Sequence, residues 1–169
     1  ASGMSKVKTP QQLGSDFQVD LEKIFKEFRT KFPMNYHRFY DTKSAGSYLP
    51  EQPGDHFVTW AGKTFLIEAK LSTVHRSLAS PKALSSGMSN GQAMSQILWS
   101  RAGAHAVVIF KDHANGFVEI WPGAYVGGVR NALRARLDEL KCWRRFHVEH
   151  LATNLKDLFE GGIDDQFLL

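Results

Sequence analysis

The chain holds one cysteine, Cys142, in 169 residues, so an internal disulfide is excluded. That usage fits a reducing compartment. No run approaches the roughly 18–20 apolar residues of a membrane span, and no secretory pattern opens the chain. A cytoplasmic protein with no membrane partner is therefore expected. The seven histidines lack zinc-ligand spacing. Internal repeats and low-complexity tracts are also missing, which excludes solenoid and linker readings. Cys142 itself reads as a partly buried small apolar residue rather than a catalytic thiol.

What is present suits one globular domain. Hydrophobic residues make up 43% and charged residues 22%, enough to build and solvate a real core. Ala1, Ser2 and Gly3 precede Met4 and read as an expression scar. Residues 1–13 are expected to be a flexible, polar N-terminus, and residues 14–169 a single domain. The formal net charge is +4, which points toward a polyanionic partner. The excess is uneven. Arg101 to His147 carries eight Lys/Arg against four Asp/Glu, whereas Val148 to Leu169 carries Lys156 against five acids.

Periodicity gives the order of elements. Ser15 or Asp16 is the expected cap of a first helix whose stripe is Phe17, Leu21, Ile24, Phe25, Phe28 and Phe32, ended by Pro33. Residues 36–42 alternate as a strand, and 46–54 read as a loop. Two strand-like runs follow, 55–60 and 63–70, separated by Ala61-Gly62. Serine-rich Leu71 to Asn90 reads as a long exposed loop. A helix is expected over 91–101 and a buried strand over 105–111. Asn115-Gly116 turns into a strand over 117–121. A helix over 124–140, an edge strand over 146–150 and a helical turn over 155–159 complete the chain. This order implies an α/β domain with a central mixed β-sheet flanked by helices.

Three acid-x-Lys tripeptides occur: Asp41-x-Lys43, Glu68-x-Lys70 and Glu139-x-Lys141. Only Glu68 lies within an apolar strand, Thr-Phe-Leu-Ile-Glu-Ala-Lys, where an unpartnered carboxylate is costly. If Ala61-Gly62 form a two-residue hairpin loop, partner positions sum to 123 and Asp55 faces Glu68. Opposed carboxylates repel, and one holds its proton unless a cation sits between them. Hard oxygen ligands favour Mg²⁺, with Mn²⁺ as a substitute. Lys70, two residues beyond Glu68, shares its face. It is placed to orient or deprotonate a water, or to stabilise phosphoryl charge. An ordinary hairpin with solvent-facing charges at its end would carry the same residues.

Pro53-Gly54-Asp55 followed by Glu68-Ala69-Lys70 resembles the PD-(D/E)XK nuclease superfamily, with Gly54 inserted between the usual adjacent Pro and Asp. The order of elements is similar to its restriction-endonuclease-like core. Within it, the segment after Lys70, the helix with Gln92 and the Gly103-Ala104 turn look most like RecU-type and phage Holliday-junction resolvases. The resemblance covers roughly residues 14–121. It implies a Mg²⁺-dependent DNA endonuclease with Asp55 and Glu68 as metal ligands and the Ala69 carbonyl as a further ligand. It makes Lys70 catalytic and places Gln92 beside the site. It also implies branched or four-way DNA as partner, a homodimer, and a cytoplasmic, in some cases virus-encoded, setting.

One departure stands out. Where these nucleases often carry a first-helix Glu, this chain has Gln18; Glu22, one turn later, is the alternative contributor. Glu22 also reads as a surface charge paired with Lys26. Gln92 and Gln96 share a helix face, at the site or simply as a polar surface. His75, Arg76 and Lys82 either contact phosphates or belong to a solvated loop. Arg130, Arg134 and Arg136 read as a DNA-facing patch or a solvated face. Trp60, Trp99, Trp121 and Trp143 read as core or dimer contacts. The rival functions are another nuclease of the superfamily (restriction, repair or exonuclease) and a catalytically inactive DNA-binding module of the same fold.

Overall fold

The computed structural model describes residues 7–40, 52–132 and 141–163. Helix α1 (Pro10–Lys31) begins with a capping box. Thr9 Oγ1 accepts the Gln12 N–H at 3.2 Å, and Gln12 Oε1 accepts the Thr9 N–H at 2.8 Å. The cap expected at Ser15 or Asp16 is therefore displaced, and residues 10–13, expected to be flexible, are helical. Pro10 suits this first turn because its missing N–H has no partner to lose. Phe17, Leu21, Phe25 and Phe28 form the buried stripe.

Six strands follow in the order of the chain. They are β1 (Met34–Arg38), β2 (His56–Trp60), β3 (Lys63–Ser72), β4 (His105–Asp112), β5 (Phe117–Pro122) and β6 (Arg144–His147). The sheet order is β1-β2-β3-β4-β5-β6. All neighbours are antiparallel except β3 and β4, which are parallel. The sheet is thus mixed, as expected. β1 starts two residues before the expected run. Asp41, Thr42 and most of the 46–54 loop lie outside the described residues.

The β2–β3 hairpin has the expected register, from Trp60↔Lys63 to His56↔Ile67. Its two loop residues both have positive φ, 46° at Ala61 and 85° at Gly62. That matches the right-handed twist of the strands.

The segment after β3 is not the exposed loop that its serines suggested. It contains α2 (Pro81–Gly87), and α3 (Asn90–Arg101) follows at once. Leu78, Ala83, Leu84 and Met88 are buried there. Their spacing supplies a core face that the polar residues between them mask. They pack with Val108, Phe110, Trp121 and Tyr125 on one side of the sheet, beside α3 and α4 (Gly123–Arg130). On the other side α1 and α5 (Leu151–Gly161) cover Val58, Phe65, Ile67, Val107 and Ile120.

The expected 124–140 helix stops at Arg130, with Ala132 at φ 57°; Arg134 and Arg136 lie outside the described residues. The expected 146–150 strand is 144–147. The final helical turn is a full helix because Leu151, Leu155, Leu158 and Phe159 extend the stripe. Trp60 and Trp121 are core residues, and Cys142 is half-buried. Among the described residues no helix is long and apolar enough to cross a membrane.

Candidate active site

Unequal strand lengths create the site. β3 has ten residues and β2 five, so β3 runs on past the last ladder pair, His56↔Ile67. Asp55 occupies the position that β2 vacates. Its N–H donates to the Ile67 carbonyl at 2.9 Å, and its own carbonyl accepts the Phe39 N–H at 2.8 Å. Its Oδ2 accepts the Ala69 N–H at 2.7 Å. Asp55 thus lies one residue beyond the ladder rather than in a direct pair with Glu68. In a strand, one residue's N–H and C=O point to the same side. The Ala69 carbonyl therefore opens on the edge that Asp55 occupies.

Gly54 lets the chain lie this close. A Cβ there would sit 2.8 Å from Leu66 Cδ1 and 3.2 Å from the Ile67 carbonyl oxygen. A side chain at the residue inserted between Pro53 and Asp55 would therefore have to push Leu66 aside and crowd the Ile67 carbonyl. Ser95 Oγ on α3 donates to the Pro53 carbonyl and anchors the same approach.

Glu68 and Lys70 project from β3 toward α3. The Glu68 side chain is 3% exposed, and Lys70 Nζ lies 3.5 Å from Glu68 Oε1. Gln92 bridges them. Its Oε1 accepts from Lys70 Nζ at 2.9 Å, and its Nε2 donates to Glu68 Oε1 at 3.0 Å. The same Oε1 accepts the Ser89 N–H at 3.0 Å, while Ser89 Oγ accepts the Gln92 N–H at 3.1 Å. Gln92 is therefore also the capping-box residue of α3. Burial first, and then the negative charge of Asp55, push the Glu68 carboxyl up to about 8, against the opposing pull of Lys70.

The donor set suits a hard divalent cation. The Asp55 and Glu68 carboxylates interact, and the Ala69 carbonyl lies on the strand edge that Asp55 occupies. Among the described residues no group of three or more His, Cys, Asp or Glu forms a metal cluster. Mg²⁺ needs only one or two carboxylates beside waters, so the set fits that ion.

The remaining sequence-derived residues separate. Gln18 Oε1 contacts His56 Nε2, and Gln18 lines the cleft that Asp55, Ala69 and Lys70 also line. Glu22 is engaged by Arg38 at 3.0 Å and Lys26 at 4.0 Å. His75, half-buried, donates its N–H to Ser72 Oγ at 2.9 Å, while Arg76 and Lys82 are exposed. Those three lie along the segment that leaves β3, outside the Glu68–Lys70–Gln92 triangle. Gln96 is buried, with Nε2 3.5 Å from the Leu66 carbonyl. Arg130 ties α4 to the start of α3, donating to the Met88 carbonyl at 2.6 Å and Asn90 Oδ1 at 2.8 Å.

Sequence reasoning missed two further buried carboxylates, Glu119 and Asp112. Lys70, Phe110, Glu119 and Arg145 stand in one row across four strands. Glu119 Oε1 accepts from Ser77 Oγ at 3.2 Å, the Leu78 N–H at 2.9 Å and Trp121 Nε1 at 3.1 Å. Arg145 donates to Glu119 Oε2 at 2.9 Å and to Asp112 Oδ2 at 3.4 Å. Glu119 therefore pins the segment that follows β3. The available signal was the one that singled out Glu68, an acid inside an apolar strand. His56, buried beside Asp55, was also missed. Burial lowers its pKa to about 4, so it is neutral.

No family model matches the chain, and no curated protein matches it. Among solved structures, the chain is similar to Archaeoglobus fulgidus Hjc, a Holliday junction resolvase from an archaeal hyperthermophile. The identity is 14% and the TM-score 0.39, with 83% of this chain and 88% of that chain covered.

Proposed function

We propose that this chain is a divalent-metal-dependent DNA endonuclease that hydrolyses phosphodiester bonds at the β3 edge. The observation that carries the reading is the buried Glu68 carboxyl, held against Asp55 on one side and Lys70 and Gln92 on the other. A carboxyl raised by burial beside a second carboxylate gains from a cation between them. Asp55, Glu68 and the Ala69 carbonyl are the residues that would hold Mg²⁺ or Mn²⁺. When bound, the ion supplies Lewis acidity at the phosphoryl oxygen and acidifies water.

The chain's own groups do the rest. Gln92 accepts from Lys70 and so fixes Nζ over the site rather than in solvent. Lys70, held there, donates toward the phosphoryl oxygens, where negative charge develops. Asp55 stays fixed because its carboxylate, N–H and carbonyl are each hydrogen-bonded. Motif resemblance extends the reading to branched DNA, cut by a homodimer whose two-fold symmetry matches two cuts in a four-way junction.

The test is a substrate panel of a four-way junction, linear duplex and single strand, titrated with Mg²⁺ and Mn²⁺. Junction cleavage that stops with Asp55→Asn and Lys70→Ala is the expected result. No cleavage of any substrate with either metal would sink the enzyme reading. Equal cleavage of duplex and junction would remove the structure selectivity and leave the nuclease. Sedimentation of the free protein tests the dimer.

A further inference from the structure

His56, in contact with Gln18, gives a defined polarity to the part of the cleft that Gln18 lines. His56 is fully buried and sits edge-on to Phe25, with ring centroids 5.4 Å apart. Its Nδ1 is buried without a hydrogen-bond partner, and its Nε2 meets Gln18 Oε1. A carbonyl oxygen only accepts, so the ring proton is on Nε2. Turning the amide over would move that proton to Nδ1 and leave a buried N–H without an acceptor. An orphaned buried donor is the rarer of the two arrangements. Gln18 Oε1 is thus used inward, and Nε2 is the end left for the cleft that Asp55, Ala69 and Lys70 share.

We propose that Gln18 is a phosphate-binding residue that donates from Nε2 to a non-bridging oxygen of the DNA backbone, and that His56 is the positioning residue that fixes this amide. The inference rests on the nuclease reading and deepens it. Its consequence is that the first helix contributes a donor to the substrate and no ligand to the metal. Glu22 does not take over as ligand, because Arg38 holds its carboxylate.

Two measurements test this in a Lys70→Ala background, which keeps the DNA intact. Fluorescence anisotropy reads binding of a labelled four-way junction in Mg²⁺, and calorimetry reads Mn²⁺ binding without DNA. Thermal melting confirms that each variant is folded. Gln18→Ala is expected to weaken junction binding about tenfold, the loss of one hydrogen bond to a charged acceptor, with Mn²⁺ affinity unchanged. Gln18→Glu keeps an acceptor for His56 but presents a carboxylate to phosphate, so it is expected to weaken junction binding further. It also serves if Gln18→Ala does not fold. His56→Phe keeps the ring and releases the amide, and junction binding is expected to weaken with Mn²⁺ affinity unchanged. Loss of Mn²⁺ affinity in Gln18→Ala would overturn the proposal by making Gln18 a metal ligand. Junction affinity at the parent level in both Gln18 variants would overturn it too. If the parent binds neither Mn²⁺ nor DNA, the nuclease reading falls and takes this one with it. If the parent binds both and only the Gln18 outcomes fail, the nuclease reading stands.

Discussion

Gln92 Oε1 lies 2.9 Å from Lys70 Nζ, and the same oxygen accepts the Ser89 N–H that begins α3. One side chain thus serves the helix start and the site. The two roles separate by mutation. Ser89→Ala removes the hydroxyl cap and is expected to cost about 1 kcal/mol of stability, with cleavage within about threefold of the parent. Gln92→Ala is expected to lose a similar amount of stability and about 10–100-fold in single-turnover rate. Equal rates for the two variants would show that Gln92 only starts the helix.

Glu68 makes metal-free stability fall with rising pH. Its folded pKa, about 8, lies above the ordinary 4.5, so the folded state holds a proton that the unfolded state releases. The associated stabilisation is complete below about pH 4.5 and is lost as pH rises through about 8. Denaturant titrations of the metal-free protein at pH 6 and pH 9 are expected to differ in this sense, and Glu68→Gln to abolish the difference. Calorimetry near pH 7 in buffers of different ionisation enthalpy is expected to show about one proton released on Mg²⁺ binding. Proton-neutral binding would contradict the assignment of Glu68 as ligand.

Glu119 is expected to matter for stability more than for chemistry. Its carboxylate is buried and satisfies four donors, and Glu119→Ala leaves the Leu78 N–H, Trp121 Nε1 and Arg145 without it. A loss of roughly 2–4 kcal/mol is expected, at the lower end because the Arg145 side chain is 34% exposed. Denaturant midpoints measure it. A change below about 0.5 kcal/mol would mean that the network contributes little.

Ala61 carries a left-handed backbone at φ 46°, where Asn is better tolerated than Ala. Ala61→Asn creates the Asn-Gly pair that two-residue turns prefer, and is expected to stabilise the protein by about 0.5–1 kcal/mol with cleavage unchanged. A lower melting temperature would argue against this turn geometry.

Much of this was legible in the residues. Alternation and the Ala61-Gly62 pair gave the hairpin and its register, because a period of two leaves little freedom once one face is buried. The motif acids and Lys70 then followed. What was hidden was hidden for identifiable reasons. Thr9-x-x-Gln12 and Ser89-x-x-Gln92 are both capping boxes, yet Ser15 and Asp16 stand beside the apolar stripe and offer a competing cap, so α1 opens earlier than expected; α3 opens one residue earlier. Leu78, Leu84 and Met88 lie among serines, which disguised a buried segment as loop. The Glu119–Arg145 pair joins two strands through a register that no local pattern reveals. His56 looked like one more strand residue because its burial depends on α1 packing from outside the hairpin.

The shortness of β2 has a final implication. Had it matched β3, the Ala69 N–H and carbonyl would be spent on a neighbouring strand, and Asp55 would have no gap to enter. Extending that strand by repairing its pairing, for instance by design of a longer hairpin, should yield a sturdier sheet that is chemically mute. The truncated strand is thus a vacancy kept open in the hydrogen-bond lattice, and the proposed chemistry sits where regular structure stops.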